Sequence, residues 1–174
     1  MPMIARWLGP LALGLFAALL GWHVTLANYP QALMRLAIAR VGQGGVNRMT
    51  HAPLVTARAR AIVRPSPDLL YSSCPYDLAR GPVLIEVPAI PAPYWSLSVF
   101  DARTDAAFVR NDRAAPMGVR VALLGAGQVA PPGYAPVRPH GTRGIALLRV
   151  LIDRTGDFSA ADAARRRARC RAAG

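Results

Sequence analysis

The sequence predicts a mainly β protein, an antiparallel β-sandwich of jelly-roll or immunoglobulin-like kind, with a transmembrane helix before it and a helix after it. Three observations lead there. The window Trp7 to Ala27 runs 21 residues without an acid or an arginine. From Val83 onward, short segments rich in β-branched residues recur between Gly, Pro, Asp and Asn clusters, the pattern of many short strands. Ser159 stands three residues before Asp162 at the head of an alanine- and arginine-rich stretch, a variant of the capping box. At 174 residues the chain has room for one folded unit and an appendage.

A helix of about 20 apolar residues crosses a hydrocarbon layer of about 30 Å, so Trp7–Ala27 reads as an anchor. Trp7 and Trp22 lie near its ends, where indoles favour the headgroup level, and Pro10 falls in the first turn, where a missing N–H costs least. A secretory signal peptide cleaved at Thr25-Leu26-Ala27 is the alternative. The length of the apolar run, and the apolar helix directly after it, favour the anchor. Arg6 on one side and Arg35 and Arg40 on the other nearly cancel as orientation signals, and the short leader favours export of the residues beyond the anchor. The chain thus divides into an anchor (1–27), a juxtamembrane helix and linker (28–49) and a single domain (50–174).

Pro30 to Val41 reads as a separate helix, with Pro at its first position, Gly42 as its stop, and Leu33, Met34, Ala37, Ile38 and Val41 along one face. A turn at 43–47 precedes an extended segment at Leu54–Val63. Arg64 to Asp68 cannot be helical at its first positions, because each proline removes a donor and biases its predecessor to extended geometry. Strands are expected at Val83–Val87, Tyr94–Phe100, Ala106–Arg110, Val119–Leu124, Tyr134–Arg138 and Ile145–Ile152, with a hairpin-type turn at Gly125–Gly127. In Tyr94–Phe100 the residues Trp95, Leu97 and Val99 share the inward face of a half-buried strand. The last helix runs from Ser159 to about Cys170.

The formal charge is +12, from nine acidic and 21 basic residues, all of the latter arginine. Such a balance suits nucleic acid, anionic lipid or acidic polysaccharide, and a domain tethered outside a bilayer meets the last two, which argues against nucleic acid. The run Arg165, Arg166, Arg167, Arg169, Arg171 reads as a solvated helix face. Cys74 and Cys170 both lie beyond the apolar window. In an oxidising compartment they form a disulfide tying the last helix to the start of the domain, and otherwise they are two separate thiols. Without CxxC or Cys/His spacing, and with His23, His51 and His140 dispersed, no metal site is expected. Leu124 to Gln128 does not complete a dinucleotide fingerprint, and no cofactor is implied.

Arg64-Pro65-Ser66-Pro67-Asp68-Leu69-Leu70-Tyr71-Ser72, then Asp77-Leu78, Gly81-Pro82, Tyr94-Trp95-Ser96, Phe100-Asp101 and Thr104-Asp105 closely resemble, in order and spacing, domain of unknown function 1254. The resemblance covers Thr50 to about Ile152, and the C-terminal arginine-rich segment is similar to that of short, membrane-anchored members. It implies a β-rich, exported bacterial envelope domain and nothing about catalysis; longer relatives carry a second domain.

The candidate ligand-binding set is Asp68, Tyr71, Tyr94, Asp101 and Asn111. Asp68 after Pro67 can accept a backbone N–H as an Asx-turn, Asp101 and Asp105 suit a tight turn, and the tyrosines can stack on a ring or bond a loop. Acid/base work by the aspartates would need both to face one cavity. Ser72 and Ser73 lack a nucleophile elbow and have no fixed relation to a histidine. The favoured reading is a non-catalytic binding or interaction module in the periplasm, held by a single pass through the inner membrane and meeting a companion envelope protein or an amphiphile. The alternative is a hydrolase or transferase acting on an envelope lipid or glycan through Asp68 or Asp101.

Overall fold

The computed structural model describes residues 2–55, 65–153 and 158–173. Helix α1 (Pro2–Val41) opens the chain and passes into a 3-10 turn at Gly42–Gly44. Its 40 residues extend about 60 Å, and Pro30 lies inside it. The expected break between two helices is therefore corrected. A proline removes one backbone bond without obliging the helix to end, and in the turn before it the Asn28 amide donates to the Val24 carbonyl at 2.7 Å. From Trp7 to Leu26 large apolar side chains are exposed all round α1. Among the described residues it is the one helix long and apolar enough to cross a membrane.

Nine strands come after it among the described residues: β1 (Thr50–His51), β2 (Leu69–Asp77), β3 (Val83–Pro88), β4 (Tyr94–Phe100), β5 (Ala106–Asn111), β6 (Gly118–Leu123), β7 (Ala135–Val137), β8 (Arg143–Leu151) and β9 (Arg169–Ala172), with α2 (Ser159–Arg166) before β9. They form a five-stranded sheet, β1-β2-β8-β4-β5, and a four-stranded sheet, β7-β6-β3-β9. The extended segment expected at Leu54–Val63 lies almost wholly outside the described residues.

Neighbouring strands are antiparallel except β6 and β7, which run parallel, so the smaller sheet is mixed. The hairpin expected at Gly125–Gly127 is corrected accordingly. Residues 124–134 supply the crossover of about a dozen residues that a parallel pair requires. Gln128 holds the turn, its side-chain oxygen accepting from the Gly125 N–H at 2.8 Å.

Strand β2, absent from the sequence expectation, contains Pro75, which ordinarily argues against an interior strand. Its register explains the exception. The Pro75 carbonyl accepts from Asn47 N–H at 2.8 Å, so the missing donor of the same residue also faces the open edge and not β8.

The inward residues of both sheets belong to one buried cluster. It includes Leu70, Cys74 and Tyr76 from β2, Trp95, Leu97 and Val99 from β4, Leu148 and Val150 from β8, and Val83, Ile85, Val121 and Leu123 from the other sheet. Each large side chain contributes about 1.5–3 kcal/mol by leaving water. Trp95 is 1% exposed, as its place in the alternation requires. Strand β4 is buried on both faces at its centre, however, because Ser96 and Ser98 are covered as well.

The C-terminal segment departs most from expectation. Helix α2 ends at Arg166, its N-cap is Phe158 with no side-chain cap bond, and Cys170 lies on β9, paired with Ile85 of β3. Helix propensity in the arginine run yields to edge pairing. The Cys74–Cys170 disulfide, with Cα atoms 6.3 Å apart, thus links β2 of one sheet to β9 of the other. It closes a separation of 96 residues, so replacing both cysteines by alanine should lower unfolding stability by about 2–5 kcal/mol. Denaturant titration of oxidised and reduced protein measures it, and unchanged midpoints would show that the link contributes nothing.

Candidate functional site

Strand directions define two ends of the larger sheet. Leu69, Tyr94 and Leu151 share one end, and Asp77, Phe100 and Arg143 lie toward the other. Asp68, Tyr71, Tyr94 and Asn111 belong to the first. Tyr71, Arg149, Ser96 and Asn111 occupy one cross-strand row on the outward face. Ser96 Oγ and Arg149 Nε in this row are buried and find no hydrogen-bond partner among the described residues. The Tyr71 hydroxyl accepts from the Ser66 N–H at 2.9 Å, and the Asn111 side-chain oxygen accepts from Ala114 N–H at 3.1 Å. At the Asp68 turn the observed side-chain bond is to Ser66, whose hydroxyl accepts from the Asp68 N–H at 3.4 Å.

Asp101 lies at the opposite end, seven residues and about 23 Å of strand from Tyr94, so the five candidates do not converge. It is 4% exposed. One carboxylate oxygen accepts from Arg103 and Asp105 N–H groups at 2.8 and 3.1 Å, and the other from His140 N–H at 3.3 Å. Its chemistry is that of a turn, joining the loop after β4 to the loop before β8. Beside it, the buried Tyr76 hydroxyl donates to the Phe100 carbonyl at 3.1 Å, and burial raises its pKa, with the Asp101 charge adding to the effect. Gly144 makes room for this bridge, since a Cβ there would stand 2.1 Å from the Phe100 carbonyl oxygen.

The sequence reading missed the most concentrated polar constellation. Arg165, assigned to a solvated face, has no exposure at all. Its guanidinium donates to the Asp162 carboxylate, to the Tyr71 carbonyl at 2.6 Å, to Ser72 Oγ at 3.0 Å and to the Ala52 carbonyl at 3.2 Å. Ser72 Oγ lies 2.9 Å from His51 Nδ1. Burial lowers the His51 pKa and the Arg165 and Arg166 charges lower it further, so we assign a neutral ring whose Nδ1 accepts the Ser72 proton. Burial alone would raise Asp162, but hydrogen bonds from Arg166 and Arg165 and their charges outweigh it and the carboxyl is held low. The available signal was the Asp162, Arg165, Arg166 spacing, which sets both cations one helical turn from the acid. Ser72 is 1% exposed and His51 half-buried, so the serine hydroxyl is enclosed between the guanidinium and the ring.

An open feature lies on the outward face of the smaller sheet. Glu86 is registered between Arg120 of β6 and Arg169 of β9, and Arg171 approaches it at 3.4 Å. The Tyr134 hydroxyl donates to Glu86 and keeps its carboxyl low despite partial desolvation, while the Arg120 guanidinium stands 5.6 Å above the Tyr134 ring. A cleft of about 590 Å³ is lined here by Glu86, Met117, Arg120, Arg167 and Arg169. Three cations around one acid leave it positive.

Residues 46–172 match the model of a family described as a protein of unknown function, DUF1254. The chain belongs to the DUF1254 family. This agrees with the resemblance carried by the Arg64–Asp105 motifs. Solved structures that share the fold include two of uncharacterised function. The VPA0106 protein from Vibrio parahaemolyticus matches with a TM-score of 0.64 at 15% identity, over 84% of this chain and 36% of its own. An uncharacterized protein from Burkholderia cenocepacia matches with a TM-score of 0.51 at 17% identity, over 84% and 41%. The DUF1254 chain thus spans well under half the length of either. No curated protein matches it.

Among the described residues of this DUF1254 chain, no three His, Cys, Asp or Glu side chains are grouped to hold a metal ion. The Arg165 cluster makes two stability predictions. Arg165→Ala leaves Asp162 with Arg166 alone and takes a charged donor from Tyr71, Ser72 and Ala52, and should cost about 3 kcal/mol in denaturant titration. His51, with a folded pKa below the ordinary 6.5, favours the folded state fully above that value, and its contribution fades as pH falls below it. Stability should therefore decline on acidification from pH 6.5, and His51→Gln should flatten that limb; an unchanged slope would remove His51 from the cluster's electrostatics.

Proposed function

We propose that this DUF1254 chain is a non-catalytic binding or interaction module of the cell envelope. In this reading residues 1–27 anchor it by a single pass through the inner membrane, residues 28–49 connect, and residues 50–174 form a sandwich of the two sheets in the periplasm. The observation that carries the reading is the open basic cleft around Arg120, Arg167 and Arg169. The cleft takes an anionic group of a companion envelope protein or amphiphile. Helix α1 joins the domain at the end holding Asp77, whereas the cleft, beside Pro88 and Gly118, lies toward the other. Such a separation leaves the cleft accessible while the helix is engaged.

Catalysis by Asp101 would require a carboxylate that exchanges protons with a substrate. The one here is buried in a turn, with both of its oxygens taken up by three backbone N–H groups and no open side toward a cavity substrate. Asp68 is exposed, with no second acid beside it in the candidate set.

Native mass spectrometry of the full chain extracted from its own envelope in mild detergent tests the proposal. A bound species should be released by rising salt, as screening of exposed charges demands. Arg120→Glu with Arg169→Glu should lower its retention by about tenfold or more. Retention indifferent to both salt and charge reversal would defeat the proposal.

A further inference from the structure

A second cleft lies where α1 meets the domain. Its volume is about 460 Å³, and Met34, Arg35, Ile38, His140, Thr142 and Arg143 are among the residues that line it. We infer that this cleft holds the phosphate headgroup of an anionic phospholipid. The inference rests on the anchor reading above and concerns a different surface from the Arg120 cleft.

Helix length supplies the first argument. Between Arg6 and Arg35 the sequence carries no Asp, Glu, Lys or Arg. The helical rise over that interval is about 44 Å, against about 40–45 Å for a bilayer with its headgroup layers. A membrane embedding α1 therefore brings Arg6 to one headgroup level and Arg35 to the other. The second argument is convergence. At the level of Arg35 the domain contributes Arg143 and the Thr142 hydroxyl to the same cleft, while Met34 and Ile38 offer apolar surface. Two cations, a hydroxyl and an apolar wall match a phosphate ester attached to an acyl chain. One acid lies close: Asp77 accepts from Arg143 Nε at 2.7 Å, a bond that uses one edge of the guanidinium. The Arg143 side chain remains 68% exposed. Tyr29, Leu33 and Leu36 are exposed on the same stretch of α1, so apolar surface continues toward the hydrocarbon.

The test uses the full chain in nanodiscs of phosphatidylcholine mixed with phosphatidylglycerol, with native mass spectrometry of the lipids retained after detergent release. Phosphatidylglycerol should be retained in preference to phosphatidylcholine by about ten- to thirtyfold, the scale expected for two arginines at a bilayer surface. Arg35→Gln should lose most of the preference, Arg35→Gln with Arg143→Gln all of it, and Arg35→Lys should keep it. Equal retention of the two lipids by the wild-type chain, or an undiminished preference in the double variant, would overturn the inference. So would inorganic phosphate displacing the lipid, because the cleft would then serve a soluble anion. Alkaline carbonate washing of membranes separates the two readings. A chain that washes off fails as an anchored protein, whereas a chain that stays but shows no preference fails only here.

Discussion

A guanidinium removed from water costs several kcal/mol unless its donors find partners, and Arg165 sits at zero exposure where α2 packs on the β1–β2 edge. The fold meets the cost from three directions. Asp162 supplies the opposite charge from the same helix, Tyr71 and Ala52 supply carbonyls from β2 and the segment after β1, and Ser72 supplies a hydroxyl. These bonds fix α2 against the β1–β2 edge. Ala161, Ala164 and Ala168 can then enter the core, and the chain leaving α2 is aimed at the free side of β3. Pairing of β9 with β3 sets Cys170 opposite Ile85, within reach of Cys74. The order of dependence runs from the buried charge to the helix, then to the strand and the disulfide.

Strands whose pattern is local were legible in the sequence. Tyr94–Phe100 and Val83–Pro88 alternate or run apolar between proline and glycine boundaries, and nothing distant is needed to place them. Strand β2 was not legible, because Ser72, Ser73 and Pro75 each count against a strand. Each is acceptable only through a partner remote in sequence: Arg165 and His51 for Ser72, Thr50 for Ser73, Asn47 for the Pro75 carbonyl. Strand β9 was hidden for the converse reason. Alanine and arginine favour helix, and only the open edge of β3 makes the extended form the better one.

The candidate site divides the same way. Asp101 was readable as a turn residue because the Asp101–Asp105 spacing is a local signal, but the third bond, from His140, was not. Tyr71, Tyr94 and Asn111 share a face because strand register brings them there, whereas composition alone treated Asp101 as their equal. Arg165 shows the limit most sharply. In a run of five arginines within seven positions, residue type cannot say which one points inward. Helical phase from Asp162 could narrow the choice to Arg165 or Arg166, and packing decides between them: Arg166 pairs with the same carboxylate while its side chain stays 51% exposed.

A helix about 60 Å long applies leverage to whatever holds its end, and the hydrogen bonds of Asn47, just after it, all go to one strand. Asn47 donates its backbone N–H to Pro75 and its amide to the Asp77 carbonyl, and accepts from the Asp77 N–H. That end of β2 is itself braced, since Tyr76 bridges to Phe100 past Gly144 and Asp101 ties the neighbouring loops. Further along, the same strand carries Cys74, Ser72 and Tyr71, the points of the disulfide and of the Arg165 bonds. Load from α1 thus reaches β2 through Asn47 and β8 directly, and passes from β2 to β9 through the disulfide and to α2 through the guanidinium. Burial still alternates along most of β2, but residue type does not follow it, because the strand's serines, its cysteine and its proline are the connections.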